Sequence, residues 1–214
     1  STRLKNKMLL PYAKTSLAEI AIKKISSLKN FDSVYFAAYD KKILKICNKY
    51  LNKNSIIIRD RKSSESNYPL TKIHNYLENI DFDYCMWINS CHAILNSNTI
   101  DKAVKFFRKN NFKSMTAVIK KNTWFYDKKG KPINVKNPKD QVMSQKSNYI
   151  YEVCHAFHIF NKKHFFKNNT YWNNNKNDPY LYEIDLIEAI DVDNINDFKI
   201  SESVYKSLKI NKIK

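Results

Sequence analysis

The chain has 214 residues, enough for one well-buried domain, and 43% of them are hydrophobic, which excludes global disorder. A single glycine, Gly130, and five prolines exclude collagen-like and low-complexity classes. Lys and Arg number 38 against 20 Asp and Glu, a formal charge of +18, but the lysines are spread over every expected helix and loop, so they read as a solvated coat that steers small anions.

Residues 15–29 read as a helix, with Ser16 and Glu19 as a capping box and Leu17, Ile20, Ala21, Ile25 and Leu28 as its apolar stripe. Residues 33–39 form a buried strand. Asp40 then caps a second helix that turns Ile43, Leu44, Cys47 and Leu51 inward. A short strand at 55–58 runs into a polar loop at 59–67, and 69–79 reads as a helix. A strand at 84–88, a loop at 89–98, a helix at 99–109 and a strand at 114–119 follow. Strands alternating with helices of this length predict βαβ units and a mostly parallel sheet.

After Lys120 the rhythm changes. Residues 122–134 read as a hairpin around Lys128-Lys129-Gly130, and 135–148 as a polar excursion. Strands are expected at 152–160, 180–184 and 188–192, and a final helix at 194–207. No internal repeat or linker breaks the chain, so residues 1–214 are expected to form a single domain with 122–148 inserted in it. His155 and His158 lie three apart on an expected strand and should face opposite sides.

Cys47, Cys85, Cys91 and Cys154 form no CxxC pair or zinc spacing, so reduced thiols and a cytoplasmic location are expected. The polar, basic opening is unlike a secretory leader, and no run of about 18 apolar residues is available to span a membrane. Four arginines, Arg3, Arg59, Arg61 and Arg108, persist in a chain that otherwise uses lysine, which suggests sites needing a planar bidentate fork.

The opening STRLKNK followed by LLP (residues 1–11) resembles the nucleotide-binding loop of the cytidylyltransferases that activate 2-keto-3-deoxy sugar acids, the acylneuraminate and CMP-Kdo synthetase type. Spore-coat polysaccharide relatives open with the same loop. The likeness continues in order through FDSVYFAAYDKKI, IIIRDRKSSES, WINSCHAILNSNTIDKAVKFF, KSMTAV, HAFHIFNKKHFF, YLYEI and EAIDVDNINDF, the last carrying an Asp-x-Asp pair.

The resemblance implies an α/β, Rossmann-like fold of the nucleotide-diphospho-sugar transferase type, with helices on both faces of a mostly parallel central sheet. It implies transfer of CMP from CTP to a sialic acid-like or Kdo-like sugar acid, with release of pyrophosphate. Lys7 and Arg3 take the catalytic positions, stabilising the triphosphate and the leaving pyrophosphate. Ser1, Arg3, Lys7, Arg59, Ser63 and Ser64 fall on the nucleotide-binding positions, and Asn89, His155 and Phe157 on the sugar side. Asp191 and Asp193 match the pair that holds Mg²⁺, although the same residues also suit the start of the last helix, with Asp197 in its first turn. Residues 122–148 correspond to a region that joins two subunits, so a homodimer is implied.

Several features depart from the family's pattern. Met8 stands where the sialic acid branch often has Asn, and the loop NSCHAI (89–94) has neither that branch's Gln-Pro-Thr-Ser-Pro nor the acidic residue of the Kdo branch. His92 reads as a loop residue. The phosphate loop arrives at residue 1 without the strand that usually feeds it, and a longer natural chain is expected. Two other readings stay open: a spore-coat or glycosyltransferase-like relative without cytidylyltransferase activity, and a basic nucleic-acid-binding protein. No helix-turn-helix, zinc finger or RNA-binding motif supports the second.

Overall fold

The computed structural model describes residues 4–135 and 148–210. Helix α1 (Leu17–Ser26) starts where Ser16 Oγ accepts the Glu19 N–H at 3.2 Å, and it buries Leu17, Ile20, Ala21 and Ile25 as the stripe predicts. The Glu19 carboxylate turns instead to the Tyr50 hydroxyl, which donates at 2.5 Å, and to Lys23. Strand β1 (Phe36–Ala38) leads to α2 (Lys41–Tyr50), whose first N–H groups are capped by the Asp40 carboxylate. Strand β2 (Ile56–Ile58) then pairs parallel with β1, Phe36 opposite Ile56.

Two stretches differ from expectation. The expected loop at 59–67 contains a short helix, α3 (Arg61–Glu65), because Asp60 caps the Ser63 N–H at 2.7 Å. The expected helix at 69–79 breaks into α4 (Leu70–Ile73) and a 3-10 turn at Asn75–Leu77. Arg59 donates to the Ile73 carbonyl at 2.7 Å, so that oxygen engages a guanidinium, and the Leu77 N–H turns to the His74 carbonyl at 3.0 Å.

The larger sheet contains β3 (Tyr84–Ile88), β4 (Met115–Lys121), β5 (Ile150–Asn161) and β6 (Tyr180–Glu183), in the spatial order β3-β5-β4-β6. Strands β4 and β6 pair parallel, while β5 lies antiparallel to both β3 and β4. Thus β3, β4 and β6 share one direction, and β5 returns against them after the excursion. Side chains alternate across the sheet: Met86, Ile88 and Ile159 pack toward helix α5 (Ser97–Asn110), and Cys85, Trp87 and Phe160 toward helix α6 (Lys162–Asn168). Between β1 and β3 lies a groove of ≈ 890 Å³, walled by Phe36 and Ala37 on one side and Met86 and Ile88 on the other, with Lys24 and Ile25 of α1 along it.

The β4–β5 pairing carries a large bulge. Val118 faces Val153, yet Thr116 faces His158, so the four residues from Cys154 to Phe157 stand opposite the single Ala117. His155 sits within it at φ 55°, in the left-handed region that His tolerates better than most residues. The bulge breaks the two-residue alternation and overturns the expectation that His155 and His158 face apart: their rings meet, Nδ1 to Nε2, at 3.2 Å.

The expected strand at 188–192 is not a strand. Asp185 accepts the Ile187 N–H at 2.8 Å, and its carbonyl accepts the Ala189 N–H at 3.1 Å, which winds the segment into turns before Asp191. The hairpin around Gly130 forms as expected, with Tyr126 bridging Pro132 and Gly130 at φ 80°. At its base the buried Asn134 side chain accepts from the Phe125 N–H and donates to the carbonyls of Thr123 and Asn148.

Helix α7 (Ile195–Ile210) binds the two ends of the chain together. Tyr12, fully buried, makes a 2.8 Å hydrogen bond to Ser201 and packs edge-on to Phe198 and Tyr205. A tight turn at Ala13 and Lys14, both left-handed, lets the Ala13 N–H donate to Glu202 at 2.7 Å. That docking brings the residues near position 7 up against those near position 192.

Candidate active site

Lys7 begins a 3-10 turn, Lys7–Leu9, after Asn6, a residue in the left-handed region. Its ammonium donates to the Val192 carbonyl at 2.5 Å and lies 3.4 Å from an Asp193 carboxylate oxygen. Burial opposes its charge, but the neighbouring Cys91 thiol and the Asp191 and Asp193 carboxylates outweigh that and raise its pKa. Asp191 shifts upward for the complementary reason: burial, then the charge of Asp193, outweigh the attraction of Lys7. Lys7 and Asp193 thus meet across more than 180 positions, with Asp191 close enough to act on the Lys7 charge.

His92 packs beside Asp191 and is fully buried. Its Nε2 lies 3.1 Å from the Cys154 carbonyl and donates to it, because a carbonyl can only accept. Burial, and then the positive Lys24 nearby, push the imidazole down to about 4, so it is neutral and its Nδ1 is a bare acceptor. That Nδ1 stands 3.7 Å from Asp191 Oδ1, and among the described residues neither buried atom has a hydrogen-bond partner. Two acceptors facing each other in a dry wall call for something positive between or beside them. Lys24 donates to the His92 carbonyl at 2.5 Å and is itself pushed down to about 7 by burial.

The other expected site residues divide. Asn89 ends β3 beside the bulge: its N–H donates to the Ala156 carbonyl at 3.0 Å, and its side-chain oxygen accepts the Cys91 N–H at 3.0 Å. His155 is exposed at the same place. Phe157, by contrast, is fully buried in the core with α5 and offers no surface to a sugar. Ser63 is also fully buried, its hydroxyl turned to the Asp60 carbonyl at 3.2 Å, which corrects its expected place at a base edge. Ser64 is exposed on α3. The Arg59 guanidinium lies over the Tyr76 ring and donates from Nη2 to the carbonyls of Ser63 and Ile73, while among the described residues Nε has no partner, so one arm of its fork is spent on the fold. Arg59, Asn89 and Lys24 open on the groove between β1 and β3. Ser1 and Arg3 lie outside the described residues.

Sequence reasoning missed His92, Cys91 and Lys24. The signal for His92 was its apolar flank, Ala93-Ile94-Leu95, which marks the loop as buried rather than solvated. Nothing distinguishes Lys24 from its neighbours in a lysine-rich helix. Among the described residues, no group of three His, Cys, Asp or Glu side chains forms a ready-made metal cage, and no helix is long and apolar enough to cross a membrane.

The family profile described as cytidylyltransferase matches residues 1–210. The chain belongs to that cytidylyltransferase family, whose members are nucleotidyltransferases. Among proteins known by sequence it is similar to the uncharacterized protein MJ1063 of Methanocaldococcus jannaschii, 26% identical over 170 residues, a match that spans 75% of this chain and 66% of that protein. Its fold is similar to the solved structure of CMP:2-keto-3-deoxy-manno-octonic acid synthetase complexed with CTP, with a TM-score of 0.68 at 9% identity, covering 97% of this chain and 94% of that one. It is likewise similar to 4-diphosphocytidyl-2C-methyl-D-erythritol synthase from Anaerococcus prevotii, with a TM-score of 0.65 at 14% identity, covering 90% of this chain and 87% of the other.

Proposed function

We propose that this chain transfers CMP from CTP to a 2-keto-3-deoxy sugar acid, sialic acid-like or Kdo-like, and releases pyrophosphate. The observation that carries the reading is the meeting of Lys7 with Asp193, with Asp191 close enough to act on its charge. Family membership and the likeness to a CTP-bound synthetase of a 2-keto-3-deoxy sugar support it.

In this reading the sugar's anomeric hydroxyl attacks the α-phosphorus in line. The new P–O bond forms as the bond to the pyrophosphate oxygen breaks, and the hydroxyl proton is lost to solvent. Such a transfer depends on placement and on neutralising charge rather than on covalent help. Lys7 is suited to this: its ammonium now rests on a carbonyl and a carboxylate, and it can exchange those for triphosphate oxygens. The buried, unpartnered Asp191 Oδ1 fits a Mg²⁺ site, since hard carboxylates plus substrate phosphates are the usual Mg²⁺ set. Asp191 and Asp193 would hold the ion, which supplies charge neutralisation on the triphosphate when bound. Arg3 and Ser1, which belong to the same loop by sequence, would bind those phosphates as the resemblance implies.

The excursion exposes Tyr126, Ile133, Tyr149 and Tyr151, which supports a homodimer formed through it. The test is to incubate the chain with CTP, Mg²⁺ and a panel of 2-keto-3-deoxy sugar acids. Pyrophosphate and a CMP-sugar in equal amounts are expected with one member. Release with none would overturn the reading.

A further inference from the structure

We propose that Thr116 and His158 fix the tautomer of His155, so that His155 presents an Nε2–H donor, and not a base, to a carboxylate or hydroxyl oxygen of the acceptor. The proposal rests on the transfer reading above for the identity of that oxygen, and on geometry alone for the tautomer.

The relay starts at Thr116 on β4, fully buried, with Oγ1 2.8 Å from His158 Nδ1. Among the described residues this nitrogen is the hydroxyl's hydrogen-bond partner. A buried hydroxyl left without an acceptor for its hydrogen is costly, so Thr116 donates and His158 Nδ1 accepts. His158 is 1% exposed and is held in place by Trp87, stacked at 5.4 Å, and by Tyr171 and Trp172, each at 5.1 Å. Burial first, then the neighbouring His155, His74 and His92, keep it neutral, pushed down to about 3. A neutral imidazole has one acceptor and one donor. With Nδ1 accepting, the proton lies on Nε2, and that N–H points at His155 Nδ1 3.2 Å away. His155 Nδ1 therefore accepts, and its own proton lies on Nε2.

The backbone supports the same assignment. His155 occupies a left-handed conformation inside the bulge. Strained residues of this kind persist where surrounding contacts over-determine them, and they concentrate at functional sites. Here the contacts are His158 on one side and, at the next residue, the Asn89 N–H on the Ala156 carbonyl. His155 remains exposed, and near enough to His92 to be felt there. His155 is thus an exposed group on the His92 side of Asp191, and in the transfer reading its Nε2–H would meet an acceptor oxygen. Thr116 and His158 touch no substrate; they are positioning residues.

The test begins without substrate. In protein labelled with ¹⁵N at histidine, two-bond ¹H–¹⁵N spectra should show both His155 and His158 as Nε2–H tautomers. Thr116→Val should release His158 from that tautomer, and Thr116→Ser should restore it. A His155 Nδ1–H tautomer, or Thr116→Val leaving both rings unchanged, would overturn the proposal. With the acceptor that supports turnover, His155→Leu should raise its KM at least about tenfold, the loss of one hydrogen bond to a charged group, with the KM for CTP unchanged. His155→Gln, which keeps a donor near the Nε2 position, should recover most of that loss. An unchanged acceptor KM in His155→Leu would refute the donor role. If no sugar acid is turned over, the transfer reading fails while the tautomer result stands on its own.

Discussion

Lys7 and Lys24 are two lysines among many, and the fold gives them opposite electrostatics. Lys7 is surrounded by carboxylates and keeps its charge, whereas Lys24 meets a carbonyl in a dry wall and gives its proton up near neutrality. For Lys7→Ala, turnover is expected to drop at least ~10²-fold, as when one preorganised charge stabiliser is removed. Lys7→Ala at wild-type rate would remove Lys7 from the chemistry. For Lys24, the folded value of about 7 lies below the ordinary lysine value of 10.5, so between those pH values the unfolded chain holds the extra proton. Stability from this group therefore rises from pH 7 toward pH 10. The difference in Tm between wild type and Lys24→Met should move in the wild type's favour over that range. A pH-independent difference would show that Lys24 is solvated. Neither distinction is legible in the sequence, because both depend on residues more than 60 positions away.

Elements whose signals are local emerged where the sequence places them. Ser16 and Asp40 cap helices α1 and α2, and β3 spans Tyr84–Ile88 as expected, because caps and apolar runs act over a few residues. The two failures have separate causes, one from outside the segment and one at its entry. Helix 69–79 broke because Arg59, from a distant strand end, takes a carbonyl in its middle, and the 188–192 strand became turns because Asp185 caps it locally. The β5 bulge, which makes the His155–His158 pair possible, leaves no periodic mark in the sequence. Arg59 therefore belongs to the fold as much as to the nucleotide. Arg59→Met is expected to lower stability by about 2 kcal/mol through the carbonyls left unpaired, measured by urea titration; an unchanged midpoint would return Arg59 to a purely ligand-facing role. Asn134→Ala should likewise speed proteolysis within the excursion, since three backbone segments lose their clamp. Equal cleavage rates would show the clamp to be dispensable.

At the scale of the whole molecule, α7 makes the site possible. Its contacts with Tyr12 and Ala13 hold the first loop against the last, so the cleft is assembled from both ends of the chain. Tyr12→Phe removes the hydroxyl bonded to Ser201 while keeping the ring, and it should weaken substrate affinity as well as stability. A variant that lost stability alone would separate the dock from the cleft. The +18 charge finds a use at this scale too: anions approaching from any direction are drawn inward, and the KM for CTP should rise with ionic strength.

The trough between the two sheets bears on how this molecule fails. Among the described residues, strands β1 and β3 are each hydrogen-bonded on one flank, and residues of both line the same ≈ 890 Å³ trough. Warming that parts the sheets uncovers two ready templates for intermolecular β-pairing at once, beside an oily wall. Heat denaturation should therefore be irreversible, with an apparent midpoint that shifts with scan rate and a precipitate that grows with concentration.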